Sequence, residues 1–228
     1  MADSVLVVAA HPDDEVLGCG ATISKYLCQG VKFKVLFIAE GSSCRFEDPH
    51  SKESLKAIAK RNEQAVQALT LLGVTEYEFC NFPCGRLDQV PIIEINKVIE
   101  RVIDSFQPDT LLTHSLLDVN NDHKIVFQST LMATRPVSKN HVDRLISYEV
   151  LSSSEWSYHQ TFSPNLFEVI EEQHLTAKCQ ALAVYETEVQ EYPFPRSEKA
   201  LRLNAMLRGV QAGAELAEAF YIVREFKQ

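Results

Sequence analysis

The run VLVVAA, residues 5–10, is apolar at every position and rich in valine. A short run of this kind, with no polar alternation, fits a strand covered on both faces, as in a parallel sheet. Residues 33–39 repeat the pattern and residues 110–113 give a shorter version. Helical patterns lie between them. Residues 15–29 follow Asp13 and Asp14, which suit a helix N-cap, and stop before Gly30. Residues 51–72 are long and amphipathic, with Gly73 as the stop. Ile92, Ile95, Ile99, Val102, Ile103 and Phe106 recur at helical spacing before Pro108, and residues 123–135 read as a helix halted by Pro136. Further strands are expected over 145–150 and 166–170, and further helices over 174–185 and 197–219. Residues 186–196, with Pro193 and Pro195, read as a loop. Strand alternating with helix predicts an α/β fold with a mainly parallel sheet. No repeat or linker interrupts the chain, so one domain over residues 1–228 is expected.

Composition narrows the function. The net charge of −9 argues against nucleic acid as partner, because phosphate neutralisation needs clustered Lys and Arg. Six cysteines are present without a C-x-x-C pair, which favours reduced, mostly buried thiols over a zinc knuckle. No apolar run reaches about 18 residues, so no membrane-spanning helix is expected. The first residues lack the basic start of a signal peptide, and a cytoplasmic location is the expectation.

The first strand ends in His11-Pro12-Asp13-Asp14-Glu15. In open α/β sheets that edge is where ligands bind. Neighbouring carboxylates repel and burial disfavours their charge, so a cation among them resolves the conflict. Imidazole with carboxylate suits zinc, iron or manganese. His11 and Asp14 are three apart across a turn restrained by Pro12 and can face one ion, which leaves Asp13 for proton transfer. The plainer alternative is a helix cap made by Asp13 or Asp14 with Glu15 complementing the helix dipole; it leaves the histidine unexplained. Gly18 and Gly20 are a poor dinucleotide fingerprint, because they come late and follow an acidic turn.

A third ligand should come from another strand end. Residues 110–126 offer His114, Asp118, Asp122 and His123. His123 is favoured because Asp122 and His123 stand at a strand–loop–helix junction that mirrors the first motif, with Asp122 free to orient a neighbour. His114 reads better as a hydrogen-bonded structural histidine, and Asp122 alone as a helix cap.

These residues resemble the zinc-dependent LmbE/PIG-L-like N-acetyl-sugar deacetylases, whose hallmark is strand–(H)PDDE with a histidine from a later D-x-x-x-D-H-type motif, here Asp118 to His123. Weaker echoes are Arg61 with Leu72-Gly73, ATRP (133–136), PFPRS (193–197) and GAELAEAF (213–220), the last three like a branch associated with sugar biosynthesis. The resemblance implies a Rossmann-like three-layer α/β/α sandwich, one Zn2+ per chain on His11, Asp14 and His123, and Asp13 as general base. It implies hydrolysis of an acetamide on an amino sugar or its conjugate, such as an N-acetylglucosamine derivative, with release of acetate. Some members carry a histidine three residues before the last ligand; Asn120 stands there, so Asp13 is expected to deliver the proton to the leaving amine and Asn120 to support the oxyanion. Arg61, Arg45 and Arg196 are candidates for holding substrate hydroxyls or phosphate, and Trp156, Tyr158 and His159 for stacking on a sugar. Glu15 is read as support rather than catalyst. Trimers or hexamers are common in the family. The alternatives are an amidase on another small conjugate and a non-catalytic metal- or sugar-binding module.

Overall fold

The computed structural model describes residues 2–137 and 142–227; Met1 and Gln228, the ends of the expected domain, lie outside the described residues. The elements are β1 (Ser4–Ala9), α1 (Asp14–Cys28), β2 (Lys32–Ala39), α2 (Lys52–Leu72), β3 (Glu76–Phe82), α3 (Ile92–Phe106), β4 (Thr110–His114), α4 (Asn121–Ala133), β5 (Arg144–Tyr148), β6 (Leu166–Val169), α5 (Glu172–Val184), α6 (Glu198–Ala212) and β7 (Ala217–Glu225). They form one seven-stranded sheet in the order β3-β2-β1-β4-β5-β7-β6. Strands β1 to β5 pair in parallel, while β7 runs antiparallel to both β5 and β6.

The apolar runs explain the layering. Along β1, Val5, Val7 and Ala9 join one buried cluster, and Leu6 and Val8, with Ala10 just past the strand, join the other. A strand that packs on both faces needs apolar residues at both parities. The first cluster takes in α1, α2, α5 and α6, and the second takes in α3 and α4. The result is the expected three-layer α/β/α sandwich. The chain reverses its progression across the sheet between β1 and β4, which opens a crevice at their carboxyl ends.

Helix ends follow the expected punctuation. Ser51 accepts a hydrogen bond from the Ser54 N–H and starts α2, and Gly73 closes it at φ 89°. The expectation of a helix over 197–219 is corrected: α6 ends at Ala212, Gly213 turns the chain at φ 67°, and the following residues enter β7. The segment GAELAEAF is rich in helix formers, but sheet pairing on both sides overrides that preference. Strand β3 was also not anticipated. It is a largely solvated edge, held through Phe79 stacked on Phe37 at 4.9 Å between ring centres.

Helix α1 bends at Cys19, whose φ of −148° is non-helical. The backbone groups freed by the bend are satisfied from outside. Glu218 accepts from the Ala21 and Thr22 N–H groups, and Lys178 donates to the Leu17 carbonyl and to Glu218. Gly18 belongs to this packing and not to a nucleotide loop, since a Cβ there would lie 2.3 Å from the Tyr148 ring. Among the described residues, no helix is long and apolar enough to cross a membrane. Of the six free cysteines, Cys19, Cys84 and Cys179 are buried and Cys80 is half-buried, whereas Cys28 and Cys44 are exposed. The expectation of mostly buried thiols thus holds for only part of the set.

Candidate metal centre and active-site pocket

The crevice between β1 and β4 brings the two motifs together. Asp14 Oδ2 lies 3.4 Å from His11 Nδ1 and 3.4 Å from His123 Nε2. One ligand atom from each of these three buried residues falls within 4.8 Å of the other two. Two imidazoles and one carboxylate converging in this way suit a divalent cation. The ring nitrogens that face away from the cluster are also engaged. His11 Nε2 lies 2.9 Å from Asp122 Oδ2, and His123 Nδ1 lies 3.2 Å from Asp118 Oδ2. Carboxylates behind metal-binding histidines fix the tautomer and ring orientation.

Both carboxylates are themselves fixed. Asp122 accepts from the N–H groups of Gly85 and Leu87, and Asp118 from the Asn120 N–H and the hydroxyls of Ser153 and Ser154. Burial opposes the charged form of His11, but the hydrogen bonds to Asp122 and Asp14 outweigh it and raise its pKa to about 9. The same contest, won by Asp14 and Asp118, raises His123 to about 10. Asp14 is held well below the ordinary carboxylate range: burial raises its pKa, and the His123 charge and the hydrogen bonds with His11 and His123 pull it down further.

His114 is built differently. Its Nε2 accepts the Ala10 N–H at 2.8 Å, and its ring stacks on His123 at 4.0 Å between centres. Burial, then the neighbouring His123, pushes its pKa down to about 3. With the Nε2 lone pair committed to the backbone, it acts as a structural histidine, as its sequence context suggested.

Asp13 stands at the N-terminus of α1 without capping it; its side chain makes no cap hydrogen bond. Its φ of 116° is in a region non-glycine residues rarely adopt, a strain typical of functional positions. The carbonyl of Asp13 accepts from Val16 and Leu17, its N–H donates to Glu15 Oε2, and its carboxylate meets Arg61 Nη2 at 3.0 Å. Burial raises the Asp13 pKa and Arg61 pulls it back, leaving it at about 6. Glu15 lies fully buried beneath, accepting from the Tyr185 hydroxyl, and burial pushes its pKa to about 8.

The arginines are the main departure from expectation. Arg61 is buried and spent on protein acceptors: Pro12 O, Gly41 O, Asp13 Oδ1 and Glu188 Oε1. Its guanidinium holds the Asp13 carboxylate, and it also lines the pocket beside His11 and Asp13. Gly41, at φ 78°, allows this approach, since a Cβ there would lie 2.9 Å from Arg61 Nε. Arg45 pairs with Glu188 through both guanidinium arms at 2.8 and 2.7 Å, and Arg196 Nη1 lies 3.4 Å from Glu188 Oε2 and 3.5 Å from Asp13 Oδ2. Arg45 and Arg196 remain partly exposed on the pocket wall. The buried Glu188 that gathers all three arginines was not foreseen; it sits in the 186–196 loop, with no motif around it.

A pocket of about 330 Å3 opens over these groups, walled by Cys44, Arg45, Cys84, Asn120, Trp156, Phe194 and Arg196. Asn120 uses its side-chain oxygen to cap α4 through the Asp122 N–H, so its amide nitrogen is the group left to donate. Asp122 lies behind His11 and outside the pocket lining. Trp156 joins the wall and also lines a neighbouring groove, where it is joined by Tyr158 and His159. A larger groove of about 650 Å3 adjoins at Glu40 and Ser43 but contains neither the histidine cluster nor Asp13.

Known proteins share the sequence pattern and the fold. The chain is 26% identical to the uncharacterized deacetylase YaiS of Escherichia coli K12 over 78% of its length and 88% of the relative's. It is 25% identical to the diacetylchitobiose deacetylase of Thermococcus kodakarensis over 96% of its length and 82% of the relative's. The fold matches N,N'-diacetylchitobiose deacetylase from Pyrococcus horikoshii with a TM-score of 0.78 at 23% identity, covering 97% of this chain and 84% of that one. It also matches the 4-carboxy-2-hydroxymuconate hydratase GalB of Pseudomonas putida KT2440 with a TM-score of 0.77 at 22% identity, covering 99% and 98%. The family model PIG-L, described as GlcNAc-PI de-N-acetylase, matches residues 6–134 and so spans both histidine motifs; the chain belongs to the PIG-L deacetylase family.

Proposed function

We propose that this protein is a zinc-dependent N-deacetylase that hydrolyses the acetamide of an amino sugar or amino-sugar conjugate and releases acetate. The observation that carries the reading is the convergence of His11, Asp14 and His123 beside a buried, strained Asp13 whose pKa is lifted to about 6. A cation held by those three residues supplies Lewis acidity towards a carbonyl oxygen and brings the pKa of water to about 7. The Asp13 carboxylate takes the proton of the attacking water and, once protonated, passes it to the departing amine. Arg61 keeps that carboxylate aimed at the pocket. The Asn120 amide donates to the carbonyl oxygen as negative charge builds there. Asp122 and Asp118 hold the two imidazoles in place from behind. Arg45 and Arg196, at the mouth, are the residues for a substrate hydroxyl or anionic group, and Trp156 offers a face for a sugar ring.

The single seven-stranded sheet, built from both ends of the chain, supports one domain over residues 1–228. Assembly into a trimer or hexamer belongs to the same reading and rests on the family resemblance, and a cytoplasmic location is the expectation that the sequence supports. The test is acetate release from a panel of N-acetylated sugars and conjugates by zinc-loaded protein, beside Asp13→Asn. The variant should keep its zinc and lose about 100- to 10,000-fold in turnover. Near-normal turnover in Asp13→Asn would remove Asp13 from the mechanism.

A second reading is favoured by Arg45 and Arg196 on the wall, since guanidinium groups suit carboxylates, and by the fold shared with a hydratase. Hydration of an unsaturated acid releases no acetate, so the same assay separates the two.

A further inference from the structure

Cys44 and Cys84 are 40 residues apart in sequence, yet their sulfurs lie 3.2 Å apart in the pocket wall. Theirs is the one sulfur–sulfur contact among the described residues. Cys44 is exposed and Cys84 is buried. The pairing is built and not incidental to two loose loops. The buried Glu40 carboxylate, just past β2, accepts from the Ser42 and Ser43 N–H groups and the Ser43 hydroxyl on one side and from the Cys84 N–H on the other. Gly85, at φ 69°, lets the second loop pass close to the first: a Cβ there would lie 3.0 Å from Cys44 Cβ.

We infer that Cys44 and Cys84 are a modification site: a dithiol that a peroxide closes to a disulfide, with one member open to solvent and the other poised to resolve it. A disulfide needs sulfurs at about 2.05 Å, so about 1 Å of approach completes the bond. The chemistry balances. The Cys44 sulfur attacks one oxygen of hydrogen peroxide and breaks the O–O bond, giving a sulfenic acid and water. The Cys84 sulfur displaces hydroxide from that sulfenic sulfur, forming the S–S bond, and the hydroxide takes up the Cys84 proton as a second water. The two sulfurs together lose two electrons and the peroxide gains them.

Closure reaches the histidine cluster. The segment that follows Cys84 supplies the Gly85 and Leu87 N–H groups that hold Asp122, and Asp122 holds His11 Nε2. Drawing Cys84 towards Cys44 shifts that support, so the oxidised protein holds a cation less well. Formation of the disulfide is independent of the deacetylase reading; its effect on turnover rests on it.

The experiment treats the reduced full chain with hydrogen peroxide, counts thiols, and maps the digested peptides by mass spectrometry. Two of the six thiols should disappear into one Cys44–Cys84 peptide, and a reductant should restore them. Cys44→Ser and Cys84→Ser should each abolish that peptide, with the exposed Cys28 oxidising as in the parent. Zinc retention should fall about tenfold or more on oxidation of the parent and stay constant on oxidation of Cys44→Ser. Preferential oxidation of Cys28, or build-up of Cys44 sulfenic or sulfinic acid with Cys84 still a thiol, would overturn the proposal. A disulfide that leaves zinc retention unaltered would overturn its link to the centre. Absence of acetate release from the reduced protein would count against the deacetylase reading alone.

Discussion

The floor and the wall of the pocket are built by different rules. The floor is assembled from two short motifs, each at the end of a parallel strand, and its histidines and carboxylates are set by spacings of a few residues. The wall is assembled from distant pieces: Arg45 after β2, Arg61 in α2 and Arg196 between α5 and α6, with the buried Glu188 behind them. In the floor, each histidine has its own carboxylate. In the wall, three guanidinium groups share one buried carboxylate, and two of them also reach Asp13. The floor can therefore be damaged one side chain at a time, whereas the wall is coupled to Asp13 and to itself.

The largest break is expected in the wall. Glu188→Gln leaves Arg61 buried with one carboxylate partner fewer. Loss of one member of a buried ion pair costs about 3–5 kcal/mol, and the partial exposure of Arg45 moves the expectation to the lower end. Urea unfolding reads this directly, and an unchanged midpoint would show that the wall carries no coupled charge. The floor should break more selectively. Asp122→Asn and Asp118→Asn should each weaken zinc binding about 10- to 100-fold, with little loss of fold stability. Competition with a chelator measures it; equal loss of stability and of zinc would erase the distinction between floor and wall.

The smallest effect concerns pH. Burial tends to raise the Glu40 pKa, but the N–H groups of Cys84, Ser42 and Ser43 and the Ser43 hydroxyl outweigh it and hold the carboxyl below its ordinary 4.5. A depressed folded-state pKa contributes stability that is complete above the unfolded value and is lost as pH falls through the folded one. Stability should thus decline below about pH 4.5 in the parent. In Glu40→Gln this part of the slope should be missing, which acid titration of the unfolding free energy would show.

Much of the floor was legible because its determinants are local. His11, Asp13 and Asp14 follow an apolar strand, and His123 follows another, so strand ends could be recognised and their side chains grouped. Asp122 reads from sequence as an orienting group, and its carboxylate lies 2.9 Å from His11 Nε2. The pairing of Asp118 with His123 needed the turn that lets Ser153 and Ser154 reach it. The burial of Arg61 and its four protein acceptors were not legible, because an arginine near a strand end reads alike whether it faces solvent or protein. Strand β7 was missed because a segment rich in Ala and Glu favours helix until two neighbouring strands claim its backbone.

The sequence by itself determined the alternation of buried strands with amphipathic helices and the two motifs that meet at the sheet crossover. These depend on periodicity and on contacts within one turn, which a linear reading can see. Tertiary structure decided that Asp13 is gripped by residues 48 and 183 positions away, that Glu188 collects the arginines, and that Cys44 meets Cys84 across 40 residues. Those contacts arise from strand order, loop path and the exclusion of water around buried charge, and no local spacing encodes them.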